Sequence, residues 1–403
     1  MRISTNQIYE NSLNAMLDQQ ANVNHTQLQL ATGQRILKPS DDPTQSARIL
    51  DLNQAVASNT QYQANADTTR YRSSLEDSTL ASVTDLLQRV RELAVQGANA
   101  TLSNSDRSSI AVEVRQRLDE LLSLSNTKDA NGEYVFAGFK GQTQPFARSG
   151  SSFSYNGDQN QRYLEVGPGI QVAERDPGSR VFQQVRNGNG TFNTADNPAN
   201  TGTGVIDPGS ASNTYVADTY TIAFAQATPT SPITYSVTGA ASGVVVAAGT
   251  PYVDGAAITF NGVTTNVKGT PANGDSFSLT PSTYQDMFTT LQNMANTLEA
   301  GASNQASATR LNNGMNRTLT DIDQAMGNIL QVRAQVGARL NTIDSQKNTN
   351  DSFSLQLQST LSDIKDLDYA EAASRLNRQL LGLQAAQQAF VKVQGLSLFN
   401  FLR

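Results

Sequence analysis

Few side chains in this sequence have the type and spacing that chemistry needs. His25 is the only histidine among 403 residues, and there is no cysteine. A lone imidazole cannot form a two-histidine zinc site. Without thiols there is no disulfide framework, thiolate nucleophile or iron–sulfur cluster. His25 sits in the polar stretch Asn22-Val-Asn-His-Thr-Gln27 and reads as a surface or interface residue. Asp41-Asp42 is a carboxylate pair between Pro39 and Pro43. Acid–base work by such a pair needs a third group and a pocket, and the sequence offers neither. The prolines read instead as breaks between two helices, with the aspartates near a helix start, where the macrodipole favours anions.

Asp363, Asp366 and Asp368 lack the glycine and closing glutamate of a calcium loop. They predict a solvated helix face, or a contact with a neighbouring subunit's arginine. The Asn- and Gly-rich stretch Asn187–Asn200 is poor in carboxylates and predicts a long mobile surface loop. Gly167-Pro-Gly169 is followed by no Lys-Ser/Thr and is no phosphate loop. Arg89/Arg91 and Arg115/Arg117 are interspersed with Glu92, Glu113 and Glu120. These read as exposed helical ion pairs, each worth about 0–1 kcal/mol. The chain carries no catalytic constellation, and no cofactor or metal site is expected.

Composition narrows the classes further. Charged residues are only 16% of the chain, against a usual ~25%. Asn, Gln, Ser and Thr must therefore cover much of the surface. A net charge of −6 and a pI near 5.0 give no general attraction to nucleic acid or anionic lipid. The opening MRISTNQIYENSL has no apolar core and is not a secretory signal. No stretch approaches the ~18 apolar residues of a membrane span. Taken alone this predicts a cytoplasmic protein, or one exported by a route that reads no such signal.

The elements that would position these residues are punctuated by glycine and proline. Of 28 glycines 18 lie between residues 139 and 283, and of 12 prolines 10 do. Both residues interrupt helices and central strands. The flanks, 1–138 and 284–403, are predicted helical and the middle β. Leu80, Val83, Leu87, Val90, Ala94 and Gly97 step by three or four. Ile110, Val114, Leu118, Leu121 and Ser125 do the same after Ser105, taken as an N-cap. A third series runs Leu311, Met315, Leu319, Ile322, Met326, Ile329, Val332, Val336, Leu340, Ile343. In the middle, Phe153–Gly157 and Tyr220–Phe224 alternate as half-buried strands do. Asn261-Gly262 between Ala257–Phe260 and Val263–Val267 signals a type I′ hairpin.

The resulting fold class is mainly α with an inserted β domain. An elongated helical-bundle, coiled-coil body from both chain ends would carry an outer all-β lobe. The terminal seams are narrow. Leu376, Leu380, Leu383, Phe390, Val393 and Leu396 form one, and Ile3, Ile8, Leu13, Leu17 and Leu28 a less regular one. Segments 1–40 and 353–403 hold too little apolar area to offset an ordering cost of ~1–2 kcal/mol per residue. They are predicted to order only against neighbours, which makes these eleven residues the candidate subunit interface. Gly382 and Gly395 each cost about 1 kcal/mol of helix stability. Ala372, Ala373, Ala385, Ala386 and Ala389 permit close approach by other helices. Both features favour a crowded polymer over a free two-helix hairpin.

Three stretches then carry a resemblance. They are Leu28-Gln-Leu-Ala-Thr-Gly33-Gln-Arg35-Ile36 with Asp41-Asp42; Leu86–Gln96 running through Asn104-Ser-Asp106 to Leu121; and Ile364-Lys-Asp-Leu-Asp368-Tyr369-Ala-Glu with the tail Ala385–Phe390 and Leu396-Ser-Leu-Phe. These resemble the bacterial flagellin superfamily. The opening Met1–Asn6, the Pro39 and Pro43 around Asp41-Asp42, Glu133-Tyr-Val-Phe-Ala-Gly138 with Thr143–Phe146, Arg162–Val166 and Gly178–Phe182 are similar to its hook-associated members at the hook–filament junction. The likeness covers about 1–182 and 284–403; residues 183–283 are generic, apart from Gly274–Thr280.

The resemblance implies a non-enzymatic structural subunit that joins hook-associated protein 1 to the flagellin filament. It implies a homo-oligomeric ring and a cytoplasmic export chaperone on the C-terminal helix. It also implies type III export without a cleaved signal peptide, hence an extracellular place on the flagellum. The implied domains are 1–42 with 353–403 for polymerisation, 43–138 with 284–352 as a helical bundle, and 139–283 as the outer β domain. A flagellin forming the filament itself is the nearest alternative. A coiled-coil surface adhesin with a β binding lobe, and an enzyme with its site in that lobe, are the alternatives from other classes.

Overall fold

The structure, a computed structural model, describes residues 5–395. Six helices account for the flanks: α1 (Thr5–Thr32), α2 (Pro43–Gly97), α3 (Asn104–Ser125), α4 (Met287–Ala300), α5 (Gln305–Lys365) and α6 (Tyr369–Gly395). Between α3 and α4 lie fifteen strands: β1 (Phe146–Ser149), β2 (Ser152–Tyr155), β3 (Tyr163–Gly167), β4 (Ile170–Ala173), β5 (Val185–Arg186), β6 (Phe192–Asp196), β7 (Val205–Ile206), β8 (Ser210–Ala211), β9 (Tyr220–Ala225), β10 (Thr234–Gly239), β11 (Gly243–Pro251), β12 (Ala257–Phe260), β13 (Val263–Lys268), β14 (Ser276–Pro281) and β15 (Tyr284–Gln285). A π-helical turn covers Ser179–Gln183. The mainly α class with an inserted β domain is borne out.

The chain divides into two compact units. The terminal unit comprises residues 1–64 and 346–403, and the central unit residues 65–345. Helices α2 and α5 each contribute to both.

The central unit has two large apolar cores and a small cluster of Ala66, Val166, Val172 and Ile343. The first is helical: Leu80, Val83, Leu87, Val90 and Ala94 of α2 pack with Ile110, Val114, Leu118 and Leu121 of α3, with Leu291, Met294 and Leu298 of α4, and with Met315, Ile322, Ile329 and Val336 of α5. The three- and four-residue steps read from the sequence are thus the buried stripes. Helix α3 starts two residues earlier than Ser105 would place it. Ser103 is the N-cap, because its hydroxyl accepts the Asp106 N–H while the Asp106 carboxylate accepts the Ser103 N–H. That reciprocal pair needs a three-residue spacing, which Ser105 does not have to Asp106.

The second core is β. An antiparallel sheet in the order β11-β10-β9-β14-β6 faces a smaller one, β12-β13-β7, with β8 beside β13. Alternate residues Tyr220, Ile222 and Phe224 point inward with Phe277, Leu279, Ile258, Phe260 and Val263. The hairpin at Asn261-Gly262 has the expected left-handed backbone, φ 41° and 77°. Asn187–Asn200 is not one long loop. Phe192–Asp196 forms β6 on β14, because Phe192 and Thr194 alternate into the core while the Asn and Gly residues make the turns on either side.

Candidate assembly surface

In the terminal unit α1 and α6 run antiparallel. The Tyr9 and Phe390 rings lie 5.0 Å apart at one end. Gln19 donates to the Gln379 carbonyl at 2.9 Å, and Arg375 donates to Gln29 at 3.0 Å. Gly382 faces Gln19 so closely that a Cβ there would lie 3.0 Å from its amide nitrogen. At the other end two chain breaks meet. Leu367 N–H donates to the Gly33 carbonyl at 2.9 Å, and Arg35 N–H donates to the Lys365 carbonyl at 2.8 Å. Gly33 has φ +69°, and a Cβ there would lie 2.8 Å from the Tyr369 hydroxyl. The motifs Thr32-Gly33-Gln-Arg35 and Lys365-Asp-Leu-Asp368 are therefore one structural joint.

The terminal helices find each other within one chain. This differs from the expectation that they order only against neighbours: the Tyr9–Phe390 ring contact and the Gln19 and Arg375 hydrogen bonds join them. The pairing nevertheless leaves much of the seam outside. Leu17, Leu28 and Leu380 are exposed; Leu13, Leu376, Leu383 and Phe390 are half-buried. Ile3 and Leu396 lie outside the described residues, as do the side chains of Ile8 and Val393. Four further exposed aliphatic residues of this unit, Leu50, Leu355, Leu381 and Val391, are 66–71% exposed. The sequence reading missed them because they lie off the periodic stripes. Their signal would have been a leucine or valine on the outer face of an otherwise amphipathic helix.

The aspartates have local roles. Asp41 accepts the Leu37 and Lys38 N–H groups and lies 3.3 Å from His25. Those contacts, led by Lys38, hold its carboxyl below the usual range. Asp42 accepts the Gln45 N–H at the start of α2, where Pro43 is the first helical residue. Asp368 caps α6 by accepting the Ala370 and Glu371 N–H groups. Asp366 accepts the Ser362 hydroxyl.

The central unit holds the charged residues that the sequence reading did not single out. Glu76 of α2 and Asp176 are fully buried. Arg339 of α5 bridges them at 3.2 and 2.9 Å, and Arg180 lies 3.2 Å from Asp176. The Asp176 N–H donates to Glu76 at 3.0 Å. Burial pushes the Glu76 carboxyl up to about 8; the Asp176 charge adds to this, and Arg339 opposes it. Beside them Arg72 contacts Glu174, Glu133 and Asp129, and Arg175 contacts Glu133 at 2.7 Å. The space between Arg72, Asp129 and Arg175 cannot hold even a water. Such groups position backbone and have no room for a substrate.

Three of the four arginines link different helices, while Arg117 pairs with Glu113 and Glu120 within α3. Arg89 reaches Glu113 of α3, Arg91 reaches Asp323 of α5, and Arg115 reaches Glu299 of α4. Among the described residues no group of three or more His, Asp or Glu is placed to hold a metal ion. No described helix is long and apolar enough to cross a membrane.

The N-terminal helical region of bacterial flagellin matches residues 3–141, and its C-terminal helical region matches residues 319–402. The hook-associated protein 3 of Legionella pneumophila superposes with a TM-score of 0.76 at 34% identity, over 78% of this chain and 98% of that one. This chain belongs to the flagellar hook-associated protein 3 family. FlgL of Xanthomonas campestris gives 0.72 at 34% identity, over 77% and 99%. The hook-associated protein 3 of Escherichia coli K12 is 26% identical over 401 residues, 99% of each chain. Likeness to flagellin is partial: that of Salmonella typhimurium LT2 is 34% identical over 135 residues, 27% of its length. The resemblance drawn from the terminal motifs is borne out, and the match to hook-associated protein 3 extends through the β insertion.

Proposed function

We propose that this chain is a non-enzymatic structural subunit of the hook–filament junction. It joins hook-associated protein 1 on one side to flagellin on the other, as a homo-oligomeric ring. The observation that carries this reading is the end-to-end correspondence with hook-associated protein 3, where flagellin corresponds only over a third of this chain.

The polymerisation domain is 1–42 with 353–403, the helical bundle 43–138 with 284–352, and the outer domain 139–283. The eleven seam residues, from Ile3 to Leu28 and from Leu376 to Leu396, lie in subunit contacts. Exposed Leu17, Leu28 and Leu380 on a paired helix support this, since partner helices would remove them from water at ~25 cal/mol per Å². The chain leaves the cell by flagellar type III export without a cleaved signal peptide. A cytoplasmic chaperone covers α6 beforehand.

Immunogold labelling of intact flagella tests the reading: one narrow band at the distal end of the hook is expected, and label along the whole filament overturns it. Deleting residues after Leu380 is expected to abolish incorporation while residues 45–350 stay folded by circular dichroism. Incorporation of the truncated chain would place the contacts elsewhere.

A further inference from the structure

In the central unit a groove of about 480 Å³ opens beside the π-helical turn. Two aromatic side chains line it, Phe139 and Tyr163, and both are more than half exposed, 51% and 55%. Rings this exposed gain little from folding. Phe139 sits in the turn that follows Val135 and Phe136 of the helical core. Tyr163 begins β3, and its hydroxyl donates to Gln161 at 3.1 Å.

Apart from Pro177, the rest of the lining is polar and almost uncharged. The side-chain amides of Gln159 and Gln184 have no hydrogen-bond partner among the described residues and face water. Arg180 is the one charged group, and its guanidinium is already engaged by Asp176 and by Gln335 at 2.7 Å. An anion would therefore find no free positive charge here.

Ser179 belongs to the groove wall, but its hydroxyl oxygen is closed off from the groove's accessible surface. It lines the same groove and is 96% buried. Its hydroxyl has no hydrogen-bond partner among the described residues. A buried hydroxyl left unpaired is costly, and such groups in folded proteins call for an explanation. Ser179 also begins the π-helical turn, a rare conformation that is frequent at functional sites.

We propose that this groove binds a neutral saccharide. The apolar C–H face of a pyranose ring stacks on an exposed aromatic ring. Planar amides each offer one acceptor and two donors, which suits vicinal hydroxyls. A peptide would need unpaired backbone groups along the groove, and a strongly charged ligand would need a free counter-charge. The inference does not depend on the place of the chain in the flagellum.

The test is saturation-transfer difference NMR on the full chain with maltotetraose, cellotetraose and chitotetraose. Saturation of pyranose ring C–H protons is expected with at least one of them. Phe139→Ala and Tyr163→Ala are each expected to weaken binding about tenfold without lowering the melting temperature, since both side chains are exposed. Ser179→Ala, which removes a hydroxyl closed off from the groove, is expected to leave binding unchanged. Three results overturn the proposal: no transfer from any of the three sugars, transfer unchanged in the Phe139→Ala/Tyr163→Ala double variant, or loss of self-association in that variant, which would make a second copy of the chain the occupant.

Discussion

Glu76→Gln gives the sharpest test of the buried network. The Glu76 carboxyl is fully enclosed, with Arg339 at 3.2 Å and the Asp176 N–H at 3.0 Å. Its pKa is raised on folding, from an ordinary 4.5 to about 8, chiefly by burial. Between those values the folded chain holds a proton that the unfolded chain releases. The stability this proton lends is complete below about 4.5 and is lost as the pH rises through about 8. Integrated from about pH 6 to about pH 8, the loss comes to about 2 kcal/mol. Glutamine is uncharged throughout and keeps an oxygen for the Asp176 N–H. The variant should thus lie within about 1 kcal/mol of the parent at pH 6 and show no such slope. Urea unfolding followed at 222 nm, at three pH values across this range, measures the difference. Parallel pH profiles for parent and variant would refute the assignment of a retained proton to Glu76.

Other perturbations probe single joints. Arg339→Met leaves Glu76 with no arginine, and Asp176 with only Arg180 and the Gln161 amide, and should cost about 3–5 kcal/mol in urea unfolding; a loss below about 1 kcal/mol would mean the bridge is not holding these elements together. Gly33→Ala forces a Cβ into a left-handed backbone 2.8 Å from Tyr369, at a cost of about 1–2 kcal/mol. Exchange at the Leu367 amide, which donates to the Gly33 carbonyl, should speed up about tenfold. Asp286→Ala removes the N-cap of α4, where the carboxylate accepts the Thr289 N–H at 2.7 Å, and should cost about 1 kcal/mol in thermal unfolding.

How much of this was legible in the sequence depended on whether apolar residues carried the information. The stripes of α2, α3 and α5 were readable because Leu80 to Ala94, Ile110 to Leu121 and Leu311 to Ile343 are periodic and end up buried. The Asn261-Gly262 hairpin was readable because only a few residue pairs tolerate two successive left-handed conformations. Strand β6 was missed because a single buried phenylalanine among Asn, Gly and Asp gives a weak alternation. The N-cap of α3 slipped by two residues because Ser103 and Ser105 are equivalent until the partner Asp106 is considered. The exposed leucines Leu50, Leu355 and Leu381 were missed for the opposite reason: apolar residues off a stripe have no period to reveal them.

The polar face of α5 was the largest omission. A helix with Asn, Gln, Asp and Arg opposite an apolar stripe reads as solvated on one side. Here that side is an attachment. Asn313 accepts the Ile206 N–H, Arg317 pairs with Asp196, and Asp321 accepts the Gly188 N–H at 2.7 Å. Further along, Asn328 donates to the Val181 carbonyl, Gln335 accepts from Arg180, and Arg339 holds Asp176. The steps between these six residues are 4, 4, 7, 7 and 4, the helical repeat, and their partners descend along the chain from 206 to 176. One helix therefore carries two registers. Its apolar stripe sets the bundle by buried area, which is tolerant of direction. Its polar stripe sets the incoming strand by hydrogen bonds, which are not. Burial raises the pKa of the Asp321 carboxyl, although the Gly188 and Gln285 donors oppose this. That cost is borne for direction more than for stability, which suits a segment that must leave the bundle at a fixed point to form the β domain.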